Sequence, residues 1–213
     1  FFFFFCTMKI SERTYNSSEV IAFKSTKEEF GGLSNMAPGY SIRVNDVIIP
    51  SAEALYQACR FPLFPHIQEE IINQNSPMTA KMVSRKYTTH TRQDWEEIKY
   101  AVMYWVLKVK LSQNLDKFSK VLSKTGNTPI VELSHKDKDW AVIPYTKDTL
   151  KGKNALGRLL MQLRSEFIIN NNNIECVCPP NINGFMLYGS EIETVCNPET
   201  ELENKLLFDL DFA

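Results

Sequence analysis

Polar residues beside aromatics, at the boundaries of predicted elements, carry the chemistry this sequence can do. They are Lys24, Leu33-Ser34-Asn35, Glu53, Tyr56-Gln57, Trp95, Asp137, Trp140 and Lys153-Asn154. Loop residues flanking rigid elements are where function concentrates. One glutamate, one aspartate and tryptophans able to stack on a base suit cleavage of a sugar–base bond. That reaction passes through an oxocarbenium-like sugar, stabilised by carboxylates, while an acid assists the leaving group. The plainer role for the same residues is tryptophans in the core and acids as helix caps. Glu53 is the most informative of them. A strand stops at Pro50 and a helix begins at once, so Glu53 falls in a first helical turn. There a carboxylate meets unpaired N–H groups and the positive end of the helix dipole. Such a setting favours its ionised form.

Other chemistries find little support. No Walker loop, GxGxxG, HExxH or GxSxG occurs. The three histidines, 66, 90 and 135, are scattered and read as surface residues. Cysteines stand at 6, 59, 176, 178 and 196. Their odd number and irregular spacing predict reduced thiols in a cytoplasmic protein. Cys176-Val177-Cys178 with Cys196 is a weak metal pattern, since structural zinc takes four closely spaced ligands. Neither metal nor cofactor is expected.

The elements that must position these residues follow from composition and periodicity. The chain has 213 residues, 44% hydrophobic and 23% charged, an ordinary globular balance. No apolar run approaches the roughly 20 residues of a membrane span. Phe1 to Phe5 reads as a cloning remnant, with Met8 as the natural start, so residues 1–7 are set aside. Residues 76–124 carry ten Lys/Arg against four Asp/Glu, a local +6. Residues 167–213 carry one against eight, a local −7. A basic body suits a phosphate-bearing partner, or a solvated basic helix face.

Val20 to Phe23 reads as a strand, and Tyr40 to Val44 with Val47 to Ile49 as a hairpin around Asn45-Asp46. Helices are expected over 51–60, 66–74, 77–84, 95–113, 115–123 and 154–168. Ser76-Pro77 is a helix start, and Asp94 with Glu97 predicts a capping box. Pro129 to Leu133 reads as a strand and 134–152 as a long polar loop. Helices outnumber strands without regular alternation, which gives an α+β class: a mainly helical single domain with a few short strands. Residues 1–19 form an N-terminal extension and 20–168 the catalytic domain. An Asn-rich linker opens 169–213, an acidic extension that is either docked or mobile.

A set of ordered motifs resembles the NADAR (YbiA-like) family over about 20–166. The match rests on Phe30-Gly31-Gly32-Leu33-Ser34-Asn35-Met36, Ser51-Ala52-Glu53-Ala54-Leu55-Tyr56-Gln57, Ser76-Pro77-Met78-Thr79-Ala80-Lys81 and Arg92-Gln93-Asp94-Trp95. It continues through Val131-Glu132, Asp137-Lys138-Asp139-Trp140 and Lys153-Asn154-Ala155-Leu156-Gly157-Arg158. The resemblance implies an N-glycosidase. One branch removes ADP-ribose from guanine in DNA, reversing a toxin; another cleaves a phosphoribosylamino-pyrimidine intermediate of riboflavin synthesis. The YbiA-like branch has a histidine after the glutamate, where this chain has Ala54, and a glycine where it has Ala141. The stretch from Ser51 to Pro62 looks more like the ADP-ribosyl-guanine branch.

The resemblance places the catalytic glutamate on Glu53. Glu53 would orient and stabilise the ribose rather than protonate the base. Asp137 would orient water or a sugar hydroxyl, while Trp95 or Trp140 stacks on a base and Tyr56 and Gln57 complete the motif. Ser34, Asn35 and Asn154 would bind sugar hydroxyls or phosphate. Gly32 and the helix after Lys153-Asn154 would offer backbone N–H groups, with Arg60, Lys81 and Arg85 adding charge. A Schiff-base route through Lys24 or Lys110 needs a depressed lysine pKa. The expected partner is ADP-ribosylated DNA or ADP-ribosyl-guanosine, for a cytoplasmic monomer with no membrane contact. Such an enzyme would serve DNA repair, an antitoxin or phage anti-defence. The rival reading is a module that binds ADP-ribose or a nucleotide without turnover.

Overall fold

A computed structural model describes residues 10–198 and 200. Strands β1 (Arg13–Asn16) and β2 (Ile21–Phe23) come first. The hairpin of β3 (Ile42–Val44) and β4 (Val47–Ile49) follows. Its turn residues Asn45 and Asp46 have φ of 47° and 61°, the left-handed pair that matches strand twist in a two-residue hairpin. Three short helices come next: α1 (Ala52–Ala58), α2 (Pro65–Ile72) and α3 (Pro77–Lys86). The Ser51 hydroxyl caps α1 by accepting from the Ala54 N–H, and Ser76 forms a reciprocal capping box with Thr79 on α3. Helix α4 (Trp95–Gln113) is the central rod, followed by α5 (Leu115–Ser123).

The capping box expected at Asp94 is absent. Its carboxylate instead takes two bonds from Arg92, at 2.6 and 3.0 Å. A guanidinium two residues away satisfies it better than the helix N–H groups can.

Strand β5 (Ile130–Glu132) runs parallel to β2. The stretch 134–152, expected to be a loop throughout, holds β6 (Ile143–Pro144) and β7 (Thr149–Gly152). They join β1 in a three-stranded sheet ordered β1-β7-β6. Pairing with β1 supplies hydrogen bonds that local composition does not reveal. Helix α6 (Ala155–Leu163) widens into a π-helix over Arg164–Ile169, where the sequence predicts one continuous helix. Asn154 opens α6 at φ 52°. Its amide donates to Ile130 O at 2.8 Å and accepts from Glu132 N at 3.3 Å, binding β5 to α6. Gly157 makes the same approach possible, since a Cβ there would stand 2.2 Å from Ile130 O.

The acidic segment packs on the body through residue 197. Strands β8 (Cys176–Val177), β9 (Met186–Leu187), β10 (Ser190–Glu191) and β11 (Val195–Cys196) form two small antiparallel pairs, the β9–β10 hairpin lying between β8 and β11 in the chain. Val177, Phe185, Leu187, Ile192 and Val195 enter the main core, and Phe185 meets Trp105 edge-on at 5.1 Å. Cys176 and Cys196 pair directly across β8–β11 and are joined by a disulfide. This corrects the expectation of reduced thiols for that pair, because sheet register rather than sequence spacing brings them together. Among the described residues no group of three His, Cys, Asp or Glu could hold a metal. Among them, too, no helix is long and apolar enough to cross a membrane.

Candidate active site

A cavity of about 430 Å³ opens between α1, α3, the start of α4 and the segment after β5. Glu53 lies in its wall and is 5% exposed. Its backbone N–H donates to Asn35 O at 3.2 Å, tying α1 to the loop 31–36. Gln57, one turn on, donates its amide to Glu53 Oε1 at 2.9 Å. The Gln57 carbonyl is held in turn by Arg60 at 3.0 Å and Ser84 at 2.7 Å. Lys81 Nζ stands 3.8 Å from Glu53 Oε1. One carboxylate is thus fixed by a chain of donors drawn from α1 and α3.

Aromatic rings form a second face. Tyr56 lies 5.0 Å from Trp95 and 5.5 Å from Trp140, and Tyr100 backs Trp140 at 5.3 Å. Burial, then the nearby Glu53, pushes the Tyr56 phenol well above its usual range. Asn35 is 6% exposed and lines the cavity; its amide N–H contacts Met103 Sδ at 2.9 Å. Its Oδ1 is buried and, among the described residues, has no hydrogen-bond partner. A buried orphan acceptor at a cavity wall is a place for a ligand hydroxyl or N–H.

The third face is a loop. Asp137 Oδ1 accepts from the backbone N–H groups of Asp139 and Trp140, both at 2.9 Å. Asp139 is bound by Lys153 at 2.7 Å, Lys99 at 2.8 Å and the Tyr100 hydroxyl at 2.6 Å. Burial works against its charge, but the donors from Lys153, Lys99 and Tyr100 prevail and hold its pKa at about 2. Glu132, at the end of β5, also faces the cavity. Burial, with the charges of Glu53 and Asp137, raises its pKa to about 7 against the smaller opposing effect of Lys81.

The structure brings together Ser34, Asn35, Glu53, Tyr56, Gln57, Arg60, Lys81, Trp95, Asp137 and Trp140. Five residues expected at the site lie outside it. Lys110 is fully buried behind the loop, where it donates to Gly32 O at 2.6 Å and Ser34 O at 3.1 Å. It sits over the Tyr40 and Phe118 rings at 4.3 and 4.1 Å. Burial lowers its pKa to about 7, but the amine is spent on the backbone and does not face the cavity. Gly32 turns its carbonyl to that amine, and Tyr40 closes over it. Lys24 meets His135 at 2.9 Å on the exterior. Lys153 serves Asp139, and Asn154 is committed to β5. Sequence reasoning gave Glu132 and Lys99 no role. Glu132 could have been found from its place at the carboxyl end of a parallel strand, where open α/β sheets gather ligands.

The NADAR domain model matches residues 22–168. The N-glycosidase YbiA of Escherichia coli (strain K12) is 34% identical over 150 residues, covering 70% of this chain and 89% of that protein. A riboflavin biosynthesis protein of Vibrio vulnificus is 35% identical over 146 residues, 68% of this chain but 38% of its own length. The NMR structure of E. coli YbiA superposes with a TM-score of 0.61 at 33% identity, covering 71% of this chain and 86% of that one. That likeness carries the same α+β class. With a family model spanning most of its length, this chain belongs to the NADAR family.

Proposed function

We propose that this protein is an N-glycosidase that hydrolyses the bond between ADP-ribose and the guanine amino nitrogen in ADP-ribosylated DNA. The observation that carries the reading is Glu53, a buried carboxylate held by Gln57 and Lys81 in a cavity also lined by Tyr56, Trp95 and Trp140. A fixed carboxylate beside the anomeric carbon stabilises the cationic sugar of the transition state more than the neutral ground state. The aromatic face takes the base. Asn35 Oδ1 accepts from a sugar hydroxyl. Arg60, Lys81, Arg85 and Lys99 line the same cavity and suit the diphosphate that distinguishes ADP-ribose from a simple riboside. Asp137 keeps one carboxylate oxygen for the attacking water, since its other oxygen holds the loop.

The riboflavin-intermediate reading is favoured by relatives named for riboflavin biosynthesis, including the one in Vibrio vulnificus. Side-by-side incubation with an ADP-ribosylated-guanine oligonucleotide and with the phosphoribosylamino-pyrimidine separates the two. Release of ADP-ribose from the oligonucleotide, with the pyrimidine left intact, is the expected result. Turnover of the pyrimidine alone would transfer the assignment to the other branch.

A further inference from the structure

Four carboxyl groups, Glu53, Glu96, Glu132 and Asp137, line one cavity, and Glu96, largely exposed, is paired with Lys99 at 2.6 Å. Like charges so placed cannot all ionise at no cost, so the group least supported by donors keeps its proton. Glu53 has the Gln57 amide and Lys81. Asp137 has two backbone N–H groups. Among the described residues, no hydrogen-bond donor reaches the Glu132 carboxyl. Its strand is nevertheless fixed, through Asn154 and through Val142 N–H donating to Glu132 O at 2.9 Å.

Resting on the glycosidase reading above, we propose that Glu132 is the acid that protonates the departing nitrogen. The C1′–N bond breaks and its electron pair passes to nitrogen, which takes the Glu132 proton. Water then bonds to C1′ and gives its proton to solvent, from which the Glu132 carboxylate is reprotonated. The products are a free amine and a ribose hydroxyl, and the enzyme is restored. The groups facing Glu132 are Glu53 from α1, Asp137 from the loop and Lys81 from α3. Together with burial they place its titration at about 7, close to the working pH at which a general acid is most effective.

The test uses whichever nitrogen-linked substrate the wild type cleaves, paired with the same ribosyl group on 4-nitrophenolate, which leaves without a proton. Glu132→Gln is expected to lower kcat on the nitrogen-linked substrate by about 10²–10⁴-fold. On the nitrophenolate it should stay within about tenfold, as expected when only leaving-group protonation is lost. The basic limb of the wild-type pH–rate profile, falling above pH 7, should vanish in the variant. Equal loss on both leaving groups, or an unchanged basic limb, overturns the proposal. A wild type that cleaves neither substrate instead defeats the glycosidase reading. Independently of folding in the variant, the ¹³C carboxyl resonance of Glu132 in the wild type should titrate at about 7. A midpoint in the ordinary carboxylate range overturns the assignment.

Discussion

The helical wall and the loop wall of the cavity hold their acids by opposite means. On the helical wall, side chains hold side chains: Ser84 and Arg60 fix Gln57, and Gln57 fixes Glu53. On the loop wall, acids hold backbone and lysines. Asp137 shapes the turn, Asp139 draws in Lys99 and Lys153, and among the described residues no donor reaches Glu132. A carboxyl stripped of donors and set among other carboxyls works as an acid. On the glycosidase reading proposed above, the contrast divides the labour of breaking a glycosidic bond between two glutamates.

Breaking the helical wall should have the largest effect. Glu53→Gln keeps the side-chain shape and removes the charge, so kcat should fall by about 10²–10⁴-fold with little change in melting temperature. Behind that wall, Lys110→Met leaves the Gly32 and Ser34 carbonyls unpaired. Stability should drop by about 1–3 kcal/mol in denaturant titration. Borohydride trapping during turnover should leave the Lys110 peptide unmodified, and an adduct there would show that the amine reaches the cavity.

The loop wall should respond in a pH-dependent way. The Asp139 pKa is depressed to about 2 from 3.8, so its contribution is full above the unfolded value and is lost as pH falls through about 2. Asp139→Asn should therefore melt below the wild type at pH 5, with the gap closing near pH 2. Its kcat should fall by about tenfold, from a misplaced Trp140 loop. Glu132 has the opposite sign. With its pKa raised from 4.5 to about 7, it weakens the folded state as pH rises through that window. Glu132→Gln should gain stability relative to the wild type at pH 8 and not at pH 4. The smallest effect is expected from Ser84→Ala, which removes one support of Gln57 and should slow turnover by about fivefold, for a bond worth about 1 kcal/mol.

Much of the helical wall was legible in the sequence. Ser51, Ser76 and the apolar spacing of α4 are local signals, and Glu53, Gln57 and Lys81 ride on helices those signals define. The loop wall was legible only in part. Asp137 and Trp140 stood out by residue type, but an acid at the end of a strand looks ordinary until packing removes its donors, so Glu132 went unassigned. Lys110 misled for the converse reason. A Schiff-base route needs a depressed lysine, and Lys110 is one, yet its pairing with two backbone carbonyls depends on contacts 76 and 78 residues away. The β6 and β7 strands and the Cys176–Cys196 link likewise arise from pairing between distant segments.

The central claim is that Glu53 makes this cavity a glycosidase rather than a binding site. Single-turnover release of ADP-ribose from an ADP-ribosylated-guanine oligonucleotide, with binding measured in parallel, tests it most directly. The wild type should release ADP-ribose, and Glu53→Gln should bind the oligonucleotide yet release it at least about 10²-fold more slowly. Equal rates for the two proteins, or tight binding by both with release by neither, would contradict the account.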